Sequence, residues 1–170
     1  MSAVILISKL NFDEIPKAST MLAQCWKIAY KGLIDDHYLD NLKNTHWVQF
    51  LEDTLKSDTD QCFVAKISDE IIGVLVFGKS ITEKYPHDGE VVYLYVHPSH
   101  AGKSIGKTLL KNAQQLLKHQ GYKNCIVCTF KQNDKAIAFY KANNYKIVSK
   151  NELVDIGQQE IPYVIMRKLL

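Results

Sequence analysis

The stretch Val96–Leu110, VHPSHAGKSIGKTLL, decides how the chain is read. Ala101, four residues, and then Gly106, Lys107 and Thr108 satisfy a relaxed form of the phosphate loop found in nucleotide hydrolases. The same letters describe a glycine-containing turn that opens a helix and holds a pyrophosphate on main-chain N–H groups, with no hydrolysis involved. Taken alone, the turn also fits a plain strand-to-helix connection with solvated lysines. Its surroundings have to choose.

Upstream, AVILISKL (Ala3–Leu10) reads as a first strand, followed by a helix across roughly 13–30 and a second helical region to about 57 that contains DDHYLDNL and THWVQFLEDTLK. QCFVAKIS and IIGVLVFGKS are strands joined by the short polar connector Ser68-Asp69-Glu70, which predicts an antiparallel hairpin. The polar loop SITEKYPHDG leads to a third strand of this group, EVVYLYV (Glu90–Val96). After the turn, Ile105, Leu109, Leu110, Ala113, Leu116 and Leu117 share one helical face in a helix over Ser104–His119, which Gly121 ends. NCIVCTF is a strand, NDKAIAFYKANN a short helix, and YKIVSKNEL and IPYVIMRKL two closing strands. The order β-αα-β-β-β-α-β-α-β-β predicts a single α/β (α+β) domain over residues 1–170, a mixed, mostly antiparallel central sheet of about seven strands flanked by about four helices.

This order counts against nucleotide hydrolysis. The phosphate loop of such enzymes follows a first strand and is succeeded by several parallel βα units, one ending in a magnesium-binding Asp. Here the turn follows antiparallel strands, only 62 residues come after Thr108, and the one apolar-Asp candidate, ELVDIG with Asp155, lies between strands that read as antiparallel.

A chain of 170 residues with 46% apolar and 23% charged residues can bury a proper core and is far from a disordered composition. The net charge of +3 is small and the lysines are spread along the chain, so nucleic acid is not an expected partner. No apolar run approaches the ~20 residues that cross a bilayer, and the N-terminal stretch lacks a basic start and a small-residue cleavage site, so the expectation is a cytoplasmic protein, monomer or homodimer, away from membranes. Cys25, Cys62, Cys125 and Cys128 lie in apolar periodic segments; Cys125 and Cys128, three apart on a strand, point to opposite faces and have no second Cys/His pair at ligand spacing. They are expected to be core cysteines, and no metal is expected.

From Glu90 to Tyr145 the sequence resembles the GNAT superfamily of N-acetyltransferases. The resemblance rests on EVVYLYVHP, then AGKSIG in the place of that family's Q/R-x-x-G-x-G/A turn, then the helix, NCIVCTF, and Asn133, Ala136, Phe139 and Tyr140 in its N-x-x-A-x-x-F-Y helix. Ala101 stands where the family carries Gln or Arg, and Ser104 where it carries the first Gly of its pair; Gly102 and Gly106 remain. The resemblance implies acetyl-CoA as cosubstrate, with no metal. Its pyrophosphate would sit on the N–H groups of Ala101, Gly102, Lys103, Ser104, Ile105, Gly106 and Lys107 at the positive end of the helix, with Lys103 and Lys107 adding charge.

The resemblance also implies direct attack by a primary amine. The strand before the turn opens from its neighbour, pantetheine inserts beside Leu94, Tyr95 and Val96, and a main-chain N–H there polarises the acetyl carbonyl. Glu90 is the implied base, with Asp88 a less well-placed substitute, and Tyr140 the implied acid that protonates the leaving thiolate. The plain alternatives are a solvated strand-end carboxylate and a core tyrosine. Asn133 can cap its helix and contact the cofactor. The acceptor, a small amine such as a polyamine or a protein amino group, would meet the first helices and the loop before the turn, where Trp26, Tyr30, His37, Tyr38, Trp47, Tyr85 and His87 lie; Asp35 and Asp36 suit a cation or simply cap a helix. The departures at Ala101 and Ser104 keep open a catalytically weak acyl-CoA-binding module, and the phosphate-loop letters leave nucleotide hydrolysis as a remote third reading.

Overall fold

The computed structural model describes residues 3–170. Its elements are β1 (Ile5–Lys9), α1 (Ile15–Ala29), α2 (Asp36–Asp40), α3 (Val48–Lys56), β2 (Gln61–Ile67), β3 (Glu70–Lys79), β4 (Gly89–Val96), α4 (Ile105–His119), β5 (Asn124–Phe130), α5 (Asp134–Ala142), β6 (Lys146–Ile156) and β7 (Gln159–Leu169). The second helical region of the sequence is two helices, α2 and α3. A buried serine sets the link between them. Ser19 Oγ, on α1, donates to the Asn44 carbonyl (2.5 Å) and accepts from the Trp47 N–H (3.1 Å), pinning the loop before α3 against α1.

The strands form one sheet in the order β1-β2-β3-β4-β5-β7-β6. Every neighbouring pair is antiparallel except β4 with β5. Asp155, the residue a phosphate-loop reading needs, lies inside β6 opposite Glu160. The sheet is the mixed, mostly antiparallel one the sequence predicts, and the antiparallel strands before the turn leave no room for the βα units of a nucleotide hydrolase.

Each face of the sheet carries its own apolar core. One packs α1, α2 and α3 through Leu22, Trp26, Leu39, Trp47 and Leu51; the other packs α4 and α5 through Ile105, Leu109, Leu110, Ala113, Leu117 and Tyr140. Cys25 and Cys62 are buried in the first core and Cys125 in the second. Cys128 is exposed, a departure from the expected core role. Pointing to opposite faces, as the spacing required, puts only one of the CIVC pair in a core. No helix among the described residues is long and apolar enough to cross a membrane.

Candidate active site

The site begins at an interruption in the sheet. β4 runs parallel to β5 over only three pairs, Gly89–Cys125, Glu90–Ile126 and Val91–Val127. The cause lies on the other edge of β4. Val76 of β3 pairs with Tyr93 and Phe77 with Val91, so Val92 is an extra residue in a bulge. The bulge resets the alternation: Val92, Tyr93 and Tyr95 pack toward the core of α1–α3, while Val91, Leu94 and Val96 pack toward α4. It also bends the strand, and from Val92 onward the β5-facing edge of β4 has no strand partner among the described residues. Unpaired main-chain groups in such a gap must find another partner.

A cleft opens on each side of the gap. On the α4 side, a groove of about 590 Å³ is lined by Leu94, Val96, the turn residues Ala101, Gly102 and Ser104–Lys107, and by Lys135, Ala136, Phe139, Tyr140 and Asn143 of the α5 region. The turn supplies donors. The first helical bond of α4 runs from the Thr108 N–H to the Ser104 carbonyl (3.0 Å), so the N–H groups from Ser104 to Lys107 have no acceptor in the helix. Gly102 and Ser104, which line the groove, both take positive φ, 79° and 60°, in the turn that leads into these groups. Ser104 therefore does in the left-handed region what glycine does without strain, and it makes no capping hydrogen bond of its own. A Cβ on Gly106 would come within 3.6 Å of Phe139 and 3.7 Å of Val96, so any larger side chain there would fill the groove. Main-chain donors, the positive helix end, Lys107 and Lys135 fit a pyrophosphate and its chain.

The sequence-predicted residues divide as follows. Leu94, Val96, Ala101, Gly102, Ser104, Ile105, Gly106, Lys107 and Tyr140 line this groove. The Tyr95 side chain lies on the opposite face, its hydroxyl 2.6 Å from that of Tyr30. Lys103 is not among the lining residues and points to His100, whose Nδ1 is 3.4 Å from its Nζ. Asn133 Oδ1 accepts from the Ala136 N–H at 3.2 Å, the helix cap its position predicted. Tyr140 is buried beside Phe139 and Tyr145, and burial raises its phenol well above the ordinary range, so it stays protonated. Ala136 and Phe139 of the N-x-x-A-x-x-F-Y helix also line the groove, as do Lys135 and Asn143, which the sequence does not single out; Lys135 lies two residues after Asn133.

On the α1 side, a second cleft of about 550 Å³ is lined by Trp26, Tyr30, Tyr93, Tyr95, Phe130 and Tyr163 together with Thr82, Glu83, Lys84, Glu90, Cys128 and Glu152. Glu90 is buried, 3% exposed. Its Oε2 accepts from Ser80 Oγ (3.0 Å), the Ile81 N–H (2.9 Å), the Thr82 N–H (3.2 Å) and Thr82 Oγ1 (3.1 Å). Oε1 faces Thr82 Oγ1 at 3.2 Å and Cys128 Sγ at 4.0 Å. Burial raises its pKa, and these hydrogen bonds oppose the rise. The solvated strand-end alternative is therefore wrong for Glu90. Cys128 opens onto the cleft, yet the protein surrounding it there still desolvates its thiol and pushes it up to about 11, which leaves it neutral.

Asp88 is committed elsewhere. Arg167 Nε donates to its Oδ2 at 2.7 Å and an Arg167 terminal nitrogen to its Oδ1 at 3.0 Å, with Asn124 at 3.5 Å. Of the proposed acceptor residues only Trp26 and Tyr30 line the cleft. Trp47 is core, packed on Trp26 at 5.2 Å. Asp35 caps α2 by accepting from the Tyr38 N–H (3.0 Å), and His37 and Tyr38 line a separate surface hollow by Gly157. Tyr85 lies under Arg167, 5.1 Å from its guanidinium, and His87 is exposed outside the cleft.

The profile of the Acetyltransferase (GNAT) family matches residues 25–145. The chain is 26% identical over 147 residues to spermidine N(1)-acetyltransferase of Thermoplasma acidophilum, an overlap covering 84% of this chain and 89% of that protein. It is 29% identical over 111 residues to an acetyltransferase of Pectobacterium atrosepticum, covering 65% and 73%. In three dimensions it superimposes on the PaiA N-acetyltransferase of Thermoplasma acidophilum in complex with coenzyme A, with a TM-score of 0.75, 24% identity and full coverage of both chains. A ribosomal-protein-alanine N-acetyltransferase from Brucella melitensis gives 0.72 at 22% identity, covering 97% and 99%. These structural likenesses bear on the fold alone.

Proposed function

The chain belongs to the acetyltransferase (GNAT) family, and from that premise we propose that it moves an acetyl group from acetyl-CoA to a primary amine by direct attack. The observation that carries this reading is the pair of clefts meeting at the β4–β5 gap, one with main-chain donors and Tyr140, the other with Glu90. In the groove, the turn from Ala101 to Lys107 holds pyrophosphate, Lys107 and Lys135 add charge, and Leu94 and Val96 flank the pantetheine chain. The free edge of β4 from Val92 to Val96 supplies main-chain groups to that chain and to the acetyl carbonyl. Asn133 and Lys103 act indirectly, the first by fixing the start of α5 and the second through the positive field at the turn.

The chemistry needs a neutral amine, a stabilised carbonyl oxygen and a protonated leaving group. Glu90 takes the amine proton, directly or through water; its raised pKa makes it a stronger base than an exposed carboxylate. The amine nitrogen then bonds to the carbonyl carbon, the carbon–sulfur bond breaks, and Tyr140 gives its proton to the sulfur. Burial weakens a phenol as an acid, but a thiolate released into the same desolvated site gains proton affinity for the same reason. The acceptor is a small amine or a protein amino group. The relative named for spermidine supports the first, and the aromatic lining of the cleft agrees with an aliphatic chain.

The test is a thermal-shift comparison of acetyl-CoA, CoA, ATP and GTP, followed by an amine panel read by released CoA thiol. Acetyl-CoA at a hundred times its Kd should raise the midpoint by roughly 5–10 °C. Stabilisation by ATP with magnesium and not by acetyl-CoA would overturn the reading.

A further inference from the structure

We propose that Glu152 anchors a second cationic group on the acceptor, and that Lys84 is a resident stand-in for that group which the acceptor displaces. The proposal rests on the acetyl-transfer reading of the cleft and adds to it two specificity residues.

The α1-side cleft carries three carboxylates, Glu83, Glu90 and Glu152, against a single ammonium, Lys84. Glu90 is held through Oε2 by the Ser80–Thr82 loop and lies two residues before the β4–β5 gap opens, beside which the reacting amine must be. Glu152 stands across the cleft on β6. From Cys128, which touches Glu90, the path crosses β7 near Tyr163, the ladder partner of both Phe130 and Glu152. The Glu90 carboxylate reaches Cys128 on β5, and two strand spacings, on the order of 10 Å, separate β5 from β6. That span suits two amino groups at the ends of one aliphatic chain. The surface between them is aromatic, Tyr163, Phe130 and Tyr95, which accommodates methylenes and attracts ammonium to its faces.

The two charges of the ion pair are not equivalent. The Glu152 side chain is 16% exposed and held by Ser149, whose Oγ donates to its Oε1 at 2.5 Å. The Lys84 side chain is 58% exposed on the β3–β4 loop, and its Nζ donates to that same oxygen. A fixed, half-enclosed carboxylate thus meets a lysine that can swing into water at little cost. An incoming diamine replaces one ammonium by another, so Glu152 is never left unpaired. A monoamine offers nothing to displace Lys84.

Steady-state kinetics with α,ω-diaminoheptane and heptylamine, compared as the ratio of their kcat/KM values, test this. The Glu152→Gln substitution should lower the diamine-to-monoamine ratio by about tenfold, the value of one hydrogen bond to a charged group. Lys84→Ala, at an exposed position that does not endanger folding, should raise it several-fold. An unchanged ratio in both variants, or a fall in Lys84→Ala, overturns the proposal while leaving acetyl transfer intact. Calorimetric titration of the diamine into the three proteins separates the remaining cases. Binding that weakens about tenfold in Glu152→Gln with no acetylation of any amine supports the anchor and sinks the transfer reading. A diamine that is neither bound nor acetylated sinks both.

Discussion

The hydroxyls of Tyr30, at the end of α1, and Tyr95, on β4, are hydrogen-bonded at 2.6 Å, tying the helix to the strand beyond its bulge. Burial pushes the Tyr30 phenol up to about 12 and raises Tyr95 well above its ordinary value, so the pair is neutral at any physiological pH. Tyr95→Phe leaves the Tyr30 hydroxyl without its partner and should cost about 1 kcal/mol, a fall of roughly 2–4 °C in the melting midpoint. Turnover should drop by less than threefold, because the substitution keeps the ring that lines the cleft and removes only the hydroxyl bound to Tyr30. A wild-type melt with a hundredfold loss of kcat would mean that the pair takes part in the chemistry.

The turn yields opposite expectations at two neighbouring positions. Ser104 holds φ near 60° without a capping bond, so Ser104→Gly should relieve strain and stabilise the fold by about 0.5–1 kcal/mol, with acetyl-CoA affinity kept. Gly106→Val puts branched carbons between Phe139 and Val96 and should weaken CoA binding by more than a hundredfold while leaving the melt near that of the parent. Titration calorimetry with CoA reads both. If the Gly106→Val protein binds CoA normally, the groove is not the cofactor site.

Glu90 and Asp88 lie two residues apart and should behave as different kinds of carboxylate. As the proposed base Glu90 would work ionised, so kcat/KM should be present above its raised pKa and be lost as pH falls through it, with a midpoint above the ordinary 4.5. Stability runs the other way, because a raised folded pKa favours the protonated form: this contribution is full below the unfolded pKa and declines as pH rises through the folded one. Glu90→Gln should abolish the acidic limb and lower kcat on the order of a hundredfold or more. Asp88→Asn should keep the limb and lower stability by about 1–3 kcal/mol through the loss of its Arg167 pair. A limb that survives in Glu90→Gln assigns the base to another group.

What the sequence disclosed and what it withheld divide along sequence distance. The α4 face from Ile105 to Leu117, the Ser68–Glu70 hairpin and the Asn133 cap are local patterns, and each stands where its spacing put it. The Val92 bulge depends on which residue of β3 lies opposite, so no periodicity within EVVYLYV reveals it. Lys84 and Glu152 are 68 residues apart, and only the adjacency of the β3–β4 loop to β6 makes them a pair. His37, Tyr38 and Trp47 were aromatic or polar in the right region of the chain, but the split of α2 from α3 turns them to a side hollow and to the core. Cys128 was legible in part: alternation faced it away from Cys125, and what it faces is the cleft.

Tyr140→Phe separates an acid from a packing residue. The ring remains against Phe139 and Tyr145, at centroid distances of 5.2 and 5.5 Å, so folding and CoA affinity should barely change. Loss of the proton should lower kcat by on the order of a hundredfold, the usual range for general-acid assistance. Because the interaction forms only as the carbon–sulfur bond breaks, kcat and kcat/KM should fall together. The loss should shrink with an acyl donor whose thiol is more acidic than that of CoA, since a better leaving group needs the proton less; a packing defect would slow both donors alike. Turnover equal to the parent on the best amine would assign protonation of the thiolate to water or another group.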